Sequence, residues 1–181
     1  MLTDTQIIVL PYSSTEGNSI LEILIQELKS GKWKSFQAAV AFVKNSGMFD
    51  DFMGAIKHFV DSDGKVSITC GADVFKGNES GSDYEAIKQL LQTIEDSDES
   101  NIYLYHELGR TFHPKIYFFS NEEDQKAMVI IGSSNLTAGG LVNNVEANVI
   151  IEFDLSKEDH LTEFEKMNNY FNKYWIEATE N

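Results

Sequence analysis

In the run Phe112-His113-Pro114-Lys115-Ile116-Tyr117 a histidine stands two residues before a lysine, inside an apolar, strand-like segment. Period-two alternation would put His113, Lys115 and Tyr117 on one face, so that imidazole and amine project together. Imidazole titrates near neutral pH and serves as a nucleophile or as an acid, while an ammonium beside it neutralises an anion. Such a pair suits phosphoryl chemistry, although by itself it also describes two polar groups on the wet side of a half-buried strand. A second segment, Ile130-Ile131-Gly132-Ser133-Ser134-Asn135-Leu136-Thr137-Ala138-Gly139-Gly140, is an apolar run ending in a turn of small residues. Glycines there let backbone approach a ligand, and Ser133, Ser134 and Asn135 offer donors for non-bridging phosphate oxygens. Alone it is equally an ordinary strand-to-loop turn. Asn143-Asn144-Val145-Glu146 then opens a further apolar run and brings a carboxylate.

These residues need a scaffold, and hydrophobic patterning supplies one. Strand-like runs occur at 6–10, 36–43, 65–71, 102–106, 112–119, 127–132 and 147–153. Helical faces lie between and after them. Ile20, Ile23, Leu24 and Leu28 share one, with Asn18 or Ser19 as cap and Gly31 as stop. Phe49, Phe52, Met53, Ile56, Phe59 and Val60 form a second, closing near Gly64. Ser82 and Glu85, at capping-box spacing, open a third that carries Ile87, Leu90, Leu91 and Ile94. The last runs from about Ser156 through Leu161, Phe164, Tyr170, Phe171, Tyr174 and Trp175. Strands and helices alternate first and strands dominate later. The expected class is therefore α/β, a mixed sheet of about seven strands flanked by helices.

The chain has 181 residues, 42% of them hydrophobic, which predicts a single domain over residues 1–181. No apolar stretch is long enough to span a bilayer and no leader-like segment opens the chain, so a cytoplasmic protein without membrane contact is expected. Cys70, the lone cysteine, excludes an internal disulfide and reads as a small core residue. The net charge of −15 counts against a polyanionic substrate. Its distribution is uneven, because residues 73–99 hold eight acids against two bases, whereas residues 103–120 hold one acid, two bases and two histidines. A neutral or positive cleft on an acidic body is compatible with these counts.

The order of the three segments resembles the phospholipase D superfamily, especially its nuclease branch of endonucleases and restriction enzymes of the BfiI and NgoFVII kind. The resemblance rests on residues 112–117, on Gly-Ser-Ser-Asn-Leu-Thr at 132–137, and on Asn144 with Glu146. Ser120 stands where the superfamily often has an aspartate, and the stretch before Gly132 is long enough for a hairpin loop around residues 121–125. The resemblance implies that His113 attacks phosphorus to give a phosphohistidine and that a second histidine protonates the leaving oxygen. It further implies that Lys115, Asn135 and Ser133 hold the phosphoryl oxygens and that Glu146 orients His113. Ser134, Arg110 and Tyr117 are the remaining candidates for substrate contact.

Only one copy of the motif is present, and His58, His106 and His160 read as surface or structural residues. A complete site then requires a homodimer in which two chains each contribute His113, Lys115, Asn135 and Glu146. The activity so implied is metal-independent, cofactor-free endonucleolytic cleavage of DNA. No DNA-reading helix or zinc spacing is evident, so sequence specificity would come from an additional DNA-recognition or helicase domain or subunit. The competing readings are a catalytically silent docking module, a metal nuclease, and a phospholipase, the last disfavoured by an acidic final helix.

Overall fold

The computed structural model describes residues 4–10, 19–72, 81–107 and 109–179. Among them seven strands form one mixed sheet in the order β1-β7-β6-β5-β2-β3-β4. They are β1 (Asp4–Leu10), β2 (Ser35–Val40), β3 (Lys65–Gly71), β4 (Asn101–Tyr105), β5 (Lys115–Asn121), β6 (Lys126–Gly132) and β7 (Glu146–Asp154). Helices α1 (Ile20–Lys29), α2 (Asp50–Asp61), α3 (Tyr84–Ile94) and α4 (Glu158–Thr179) complete the fold. Connection length explains the two halves of the sheet. Helical crossovers through α2 and α3 make β2, β3 and β4 parallel, while β5, β6, β7 and β1 pair antiparallel. The expected hairpin loop is present between β5 and β6, closed by Asn121 and Asp124, whose side chains bond each other at 3.0 Å.

Each face of the sheet carries its own apolar cluster. Leu24 and Leu28 of α1, Phe52 and Ile56 of α2 and Leu90 of α3 pack with Phe36, Val40, Ile68, Phe119 and Ile130 on one face. On the other, Phe164 of α4 packs with Phe118, Val129 and Phe153. Cys70 is fully buried in the first cluster, and burial pushes its thiol up to about 11. Helix α1 starts as its sequence predicts, with Ser19 and Glu22 satisfying each other's backbone amides in a capping box. Asn18, the other candidate cap, lies outside the described residues, as do the side chains of Phe171, Tyr174 and Trp175. The final helix is less uniformly apolar toward the protein than its pattern suggests: Phe164 is buried, but Tyr170 is 68% exposed.

Two local expectations are corrected. The capping box of Ser82 with Glu85 does not form, because α3 begins at Tyr84 behind Asp83. The Ser82 hydroxyl donates instead to the Gly71 carbonyl at 2.9 Å and accepts from the Val43 amide at 3.1 Å, tying the ends of β2 and β3 together. The strands at 36–43 and 112–119 are also shorter than the apolar runs. After Val40 the chain leaves the sheet, and Val43 bridges to Leu136. Pro114 has no amide hydrogen for a ladder, so β5 starts at Lys115 and His113 sits in the extended segment before it.

Five strand ends fall on one edge of the sheet. Val40 pairs with Lys115, Ile116 with Ile131, and Gly132 with Asn148. The C-terminal ends of β2, β3 and β6 therefore meet the N-terminal ends of β5 and β7, the usual location of ligand sites in open α/β sheets. A single π-type turn, Gly139–Asn143, folds back beneath this edge and presses against the Asn135 turn. A Cβ on Gly140 would lie 2.5 Å from both the backbone nitrogen and oxygen of Asn135, so only glycine permits the approach. Gly140→Ala should destabilise the fold by about 1–3 kcal/mol, the range for overpacking, and displace Asn135. Gly54→Ala on α2, where a Cβ meets nothing within 4 Å, should instead stabilise by roughly 0.5–1 kcal/mol. Urea titration of the two variants checks the contrast; equal stabilities would remove the steric argument.

Candidate active site

His113 is exposed at the sheet edge, and Lys115 is 8% exposed immediately below it. The lysine amine lies 2.9 Å from His113 Nδ1, 3.0 Å from Nε2 and 3.1 Å from the His113 carbonyl oxygen, to which it donates. Near-equal distances to both ring nitrogens set the amine over the imidazole and out of line with either in-plane lone pair, so the two groups touch while both ring nitrogens stay open to a substrate or partner. The Phe42 ring stands edge-on to the imidazole, with centroids 6.2 Å apart at 81°. Phe42 was not a candidate from sequence, since its apolar run is indistinguishable from core. His113 and Lys115 are thus brought together, though by the reach of the lysine rather than by strand alternation. Alternation correctly pairs Lys115 with Tyr117, but on the core face.

The Gly132–Asn135 turn is held from both sides. The Asn135 Oδ1 accepts from the Phe42 amide at 3.1 Å, which directs its NH2 group the other way as a donor. Ser133 is exposed, accepts from the Ala147 amide at 3.1 Å and donates to Glu146 Oε2. The other Glu146 oxygen accepts from Asn144 Nδ2 at 3.3 Å. A Glu146 bond to His113, as the motif implied, is not made in this conformation, where the Ser133 hydroxyl and the Asn144 amide each hold one carboxylate oxygen. The carboxylate reaches Lys115 through its field instead. Burial lowers the Lys115 pKa, and the negative charge of Glu146 partly opposes that shift.

Two of the candidates for substrate contact are withdrawn beneath the surface. Tyr117 is 1% exposed and donates its hydroxyl to the Ser134 carbonyl at 2.7 Å; burial, with the nearby Glu146 charge, pushes its pKa up and keeps it neutral. Ser134 is fully buried and accepts from Asn148 Nδ2 at 2.9 Å. Both residues support the turn from below, and neither can touch a substrate. Arg110 projects into solvent with its guanidinium 3.1 Å from Glu107, three residues ahead of His113. Asn148 is the polar support that sequence reading passed over, since it sits unremarked in an apolar strand. His58 and His106 are exposed, and His160 is buried, accepting the Asp154 amide at 3.1 Å. Among the described residues no three His, Cys, Asp or Glu side chains are grouped to hold a metal ion, and no helix is long and apolar enough to cross a membrane.

A sheet of this order with a histidine–lysine pair and a Gly-Ser-x-Asn turn at its edge defines a domain of the phospholipase D-like phosphodiesterase class. The chain belongs to the family described as the PLD-like domain of cardiolipin synthase, whose model matches residues 24–175. Solved structures share the fold. NucT from Helicobacter pylori aligns at a TM-score of 0.63 and 19% identity over 97% of this chain and 96% of its own. Nuc from Salmonella typhimurium, a phospholipase D family member, aligns at 0.63 and 16% identity over 97% and 95%. Phosphatidylserine synthase from Haemophilus influenzae aligns at 0.65 and 16% identity, over 94% of this chain but 39% of that one. Comparison with curated protein sequences gives no match.

Because burial lowers the Lys115 pKa and the Glu146 charge offsets only part of that, the alkaline limb of a pH–rate profile should lie below the ordinary lysine range. It should move to still lower pH in Glu146→Gln, which keeps a side-chain oxygen for Ser133 but loses the charge. As pH rises through that value Lys115 loses its positive charge and activity falls. A limb that stays fixed or moves upward in the variant would detach Lys115 from Glu146.

Proposed function

We propose that the chain is a metal-independent endonuclease that cleaves DNA through a phosphohistidine on His113, with each site shared by two protomers. The observation that carries this reading is the nearly buried Lys115 amine on the His113 imidazole, at a sheet edge where the Asn135 amide also presents a donor. In the first step an imidazole nitrogen of His113 attacks phosphorus. The new N–P bond forms as the bond to the leaving oxygen breaks, and that oxygen takes a proton from His113 of the partner subunit. In the second step water attacks the phosphohistidine, the same partner histidine takes its proton, and the N–P bond breaks. Lys115 and the Asn135 amide meet the charge on the non-bridging oxygens, so the positive counterweight lies in fixed side chains and needs no reorganisation.

The shared site follows from stoichiometry. Two imidazoles are needed in opposite protonation states, and among the four histidines only His113 lies in the motif, His160 being committed to a structural bond. Twofold symmetry supplies the second copy without further sequence. The nuclease reading over lipid cleavage draws on the motif resemblance and on the names of Nuc and NucT, whose chains match this one nearly end to end. A DNA-recognition or helicase domain or subunit would supply any sequence specificity, and residues 1–181 would act as one catalytic domain.

Incubation with labelled DNA in excess EDTA, quenched in alkali, should give cleavage and a labelled His113. His113→Ala should lose cleavage by about four orders of magnitude or more while sedimenting as the wild-type dimer. A monomer that still cleaves would remove the shared site, cleavage abolished by EDTA would remove metal independence, and a wild-type chain inert on every nucleic acid would remove the nuclease reading.

A further inference from the structure

Beside the His113–Lys115 pair lies a groove of about 400 Å3, within the range of small-ligand sites. One wall comes from the sheet edge, with Pro114 and Ile131, and the other from α4, with Met167 and Tyr170. Nothing in the phosphoryl-transfer steps requires this apolar space or the aromatic ring beside it. Tyr170 is 68% exposed, and packing within one protomer does not account for an exposed aromatic ring facing the His113 imidazole across an apolar floor. The ammonium of Lys173 stands over one face of the Tyr170 ring, 5.1 Å from its centroid, so a second planar group can stack only on the other face, and Lys115 lines the sheet wall.

We propose that this groove is a nucleobase subsite, in which the base next to the scissile phosphodiester stacks on Tyr170 over Ile131 and Met167. The inference rests on the nuclease reading above and adds where a strand lies. A nucleotide unit is a planar aromatic group next to an anion, which matches an aromatic shelf across the groove from the Lys115 ammonium, with a further cation on the shelf's far face. An acyl chain would use the apolar floor but neither cation. Among the described residues the walls offer no array of fixed donors and acceptors to read a base edge. The subsite therefore requires a base without specifying which, and favours purines through their larger stacking area. Met167, unbranched and adaptable, suits a floor that must accept several bases.

The test is single-turnover cleavage of oligonucleotides in which one abasic site is moved along the strand. The wild-type chain should show one position, adjacent to the cut bond, where removing the base slows cleavage by roughly tenfold to a hundredfold, the range for a lost stacking contact. Tyr170→Ala should slow cleavage of the intact strand by a similar factor and no longer respond to the abasic site there, whereas Tyr170→Trp should respond as the wild type does. A flat abasic scan on an active wild-type enzyme overturns the subsite, and so does a Tyr170→Ala enzyme with the wild-type response. Dissociation of the dimer in Tyr170→Ala would make the groove a protomer contact. Loss of hydrolysis of phosphatidylglycerol vesicles with DNA cleavage intact would make it an acyl site. If the wild type cleaves no nucleic acid at all, the nuclease reading fails first and the subsite falls with it.

Discussion

The bond from the Phe42 amide to Asn135 Oδ1, at 3.1 Å, joins residues ninety-three positions apart exactly where the parallel and antiparallel halves of the sheet stop pairing. A backbone amide leaving a ladder must find a partner or lose about 1–3 kcal/mol of stability. Asn135 meets that need, and in doing so it fixes which end of its own amide can face a phosphate. The same bond places the Phe42 ring against His113. One constraint, the satisfaction of a strand end, thereby couples the turn that would hold the phosphoryl oxygens to the residue that would attack phosphorus.

Beneath that bond the turn rests on buried polar groups. Tyr117 reaches the Ser134 carbonyl and Asn148 reaches the Ser134 hydroxyl, all three being 2% exposed or less. Buried hydrogen bonds of this kind have few alternative geometries, because any shift leaves a polar atom unpaired in an apolar surrounding. Gly140, with no room for a side chain against Asn135, adds a steric stop from a third direction. The exposed groups, His113 and Ser133, are thus carried on a rim that is rigid from below, and Lys115 enters it from the core face with burial already lowering its pKa.

Sequence reading reached the sheet, its mixed direction and the family, because motif order and hydrophobic period are both properties of the linear chain. It assigned Tyr117 to the substrate because alternation tells which residues share a face, not whether that face is wet, and Ser134 because a turn hydroxyl is legible in the chain while its burial is not. On β5 the face of Lys115 is the core face, and only the length of the lysine brings its amine to the surface. The Ser82 capping box failed for a related reason. The hydroxyl has the right spacing to cap α3, yet a carbonyl and an amide at the ends of β3 and β2 compete for it across 11 and 39 residues and win. Phe42 and Asn148 carry no signal of their own, since both acquire a role only through partners distant in sequence.

The acidic charge bears on how such a site can engage a polyanion. A net charge of −15 repels DNA at long range, and Arg110 and Lys44, near the rim, are already paired with Glu107 and Asp83. Fields between exposed charges fade over about 10 Å at 0.1 M salt, so the repulsion is felt mainly on approach. Within contact distance the balance changes: Lys115 is poorly solvated before a substrate arrives, so it gives up little hydration on meeting a phosphate, and the Asn135 amide is oriented in advance. Stacking on an aromatic shelf depends on no net charge at all. Recognition built from these short-range terms is compatible with an acidic body, where recognition by a broad basic surface is not, and it concentrates the binding energy at the one phosphate that reacts.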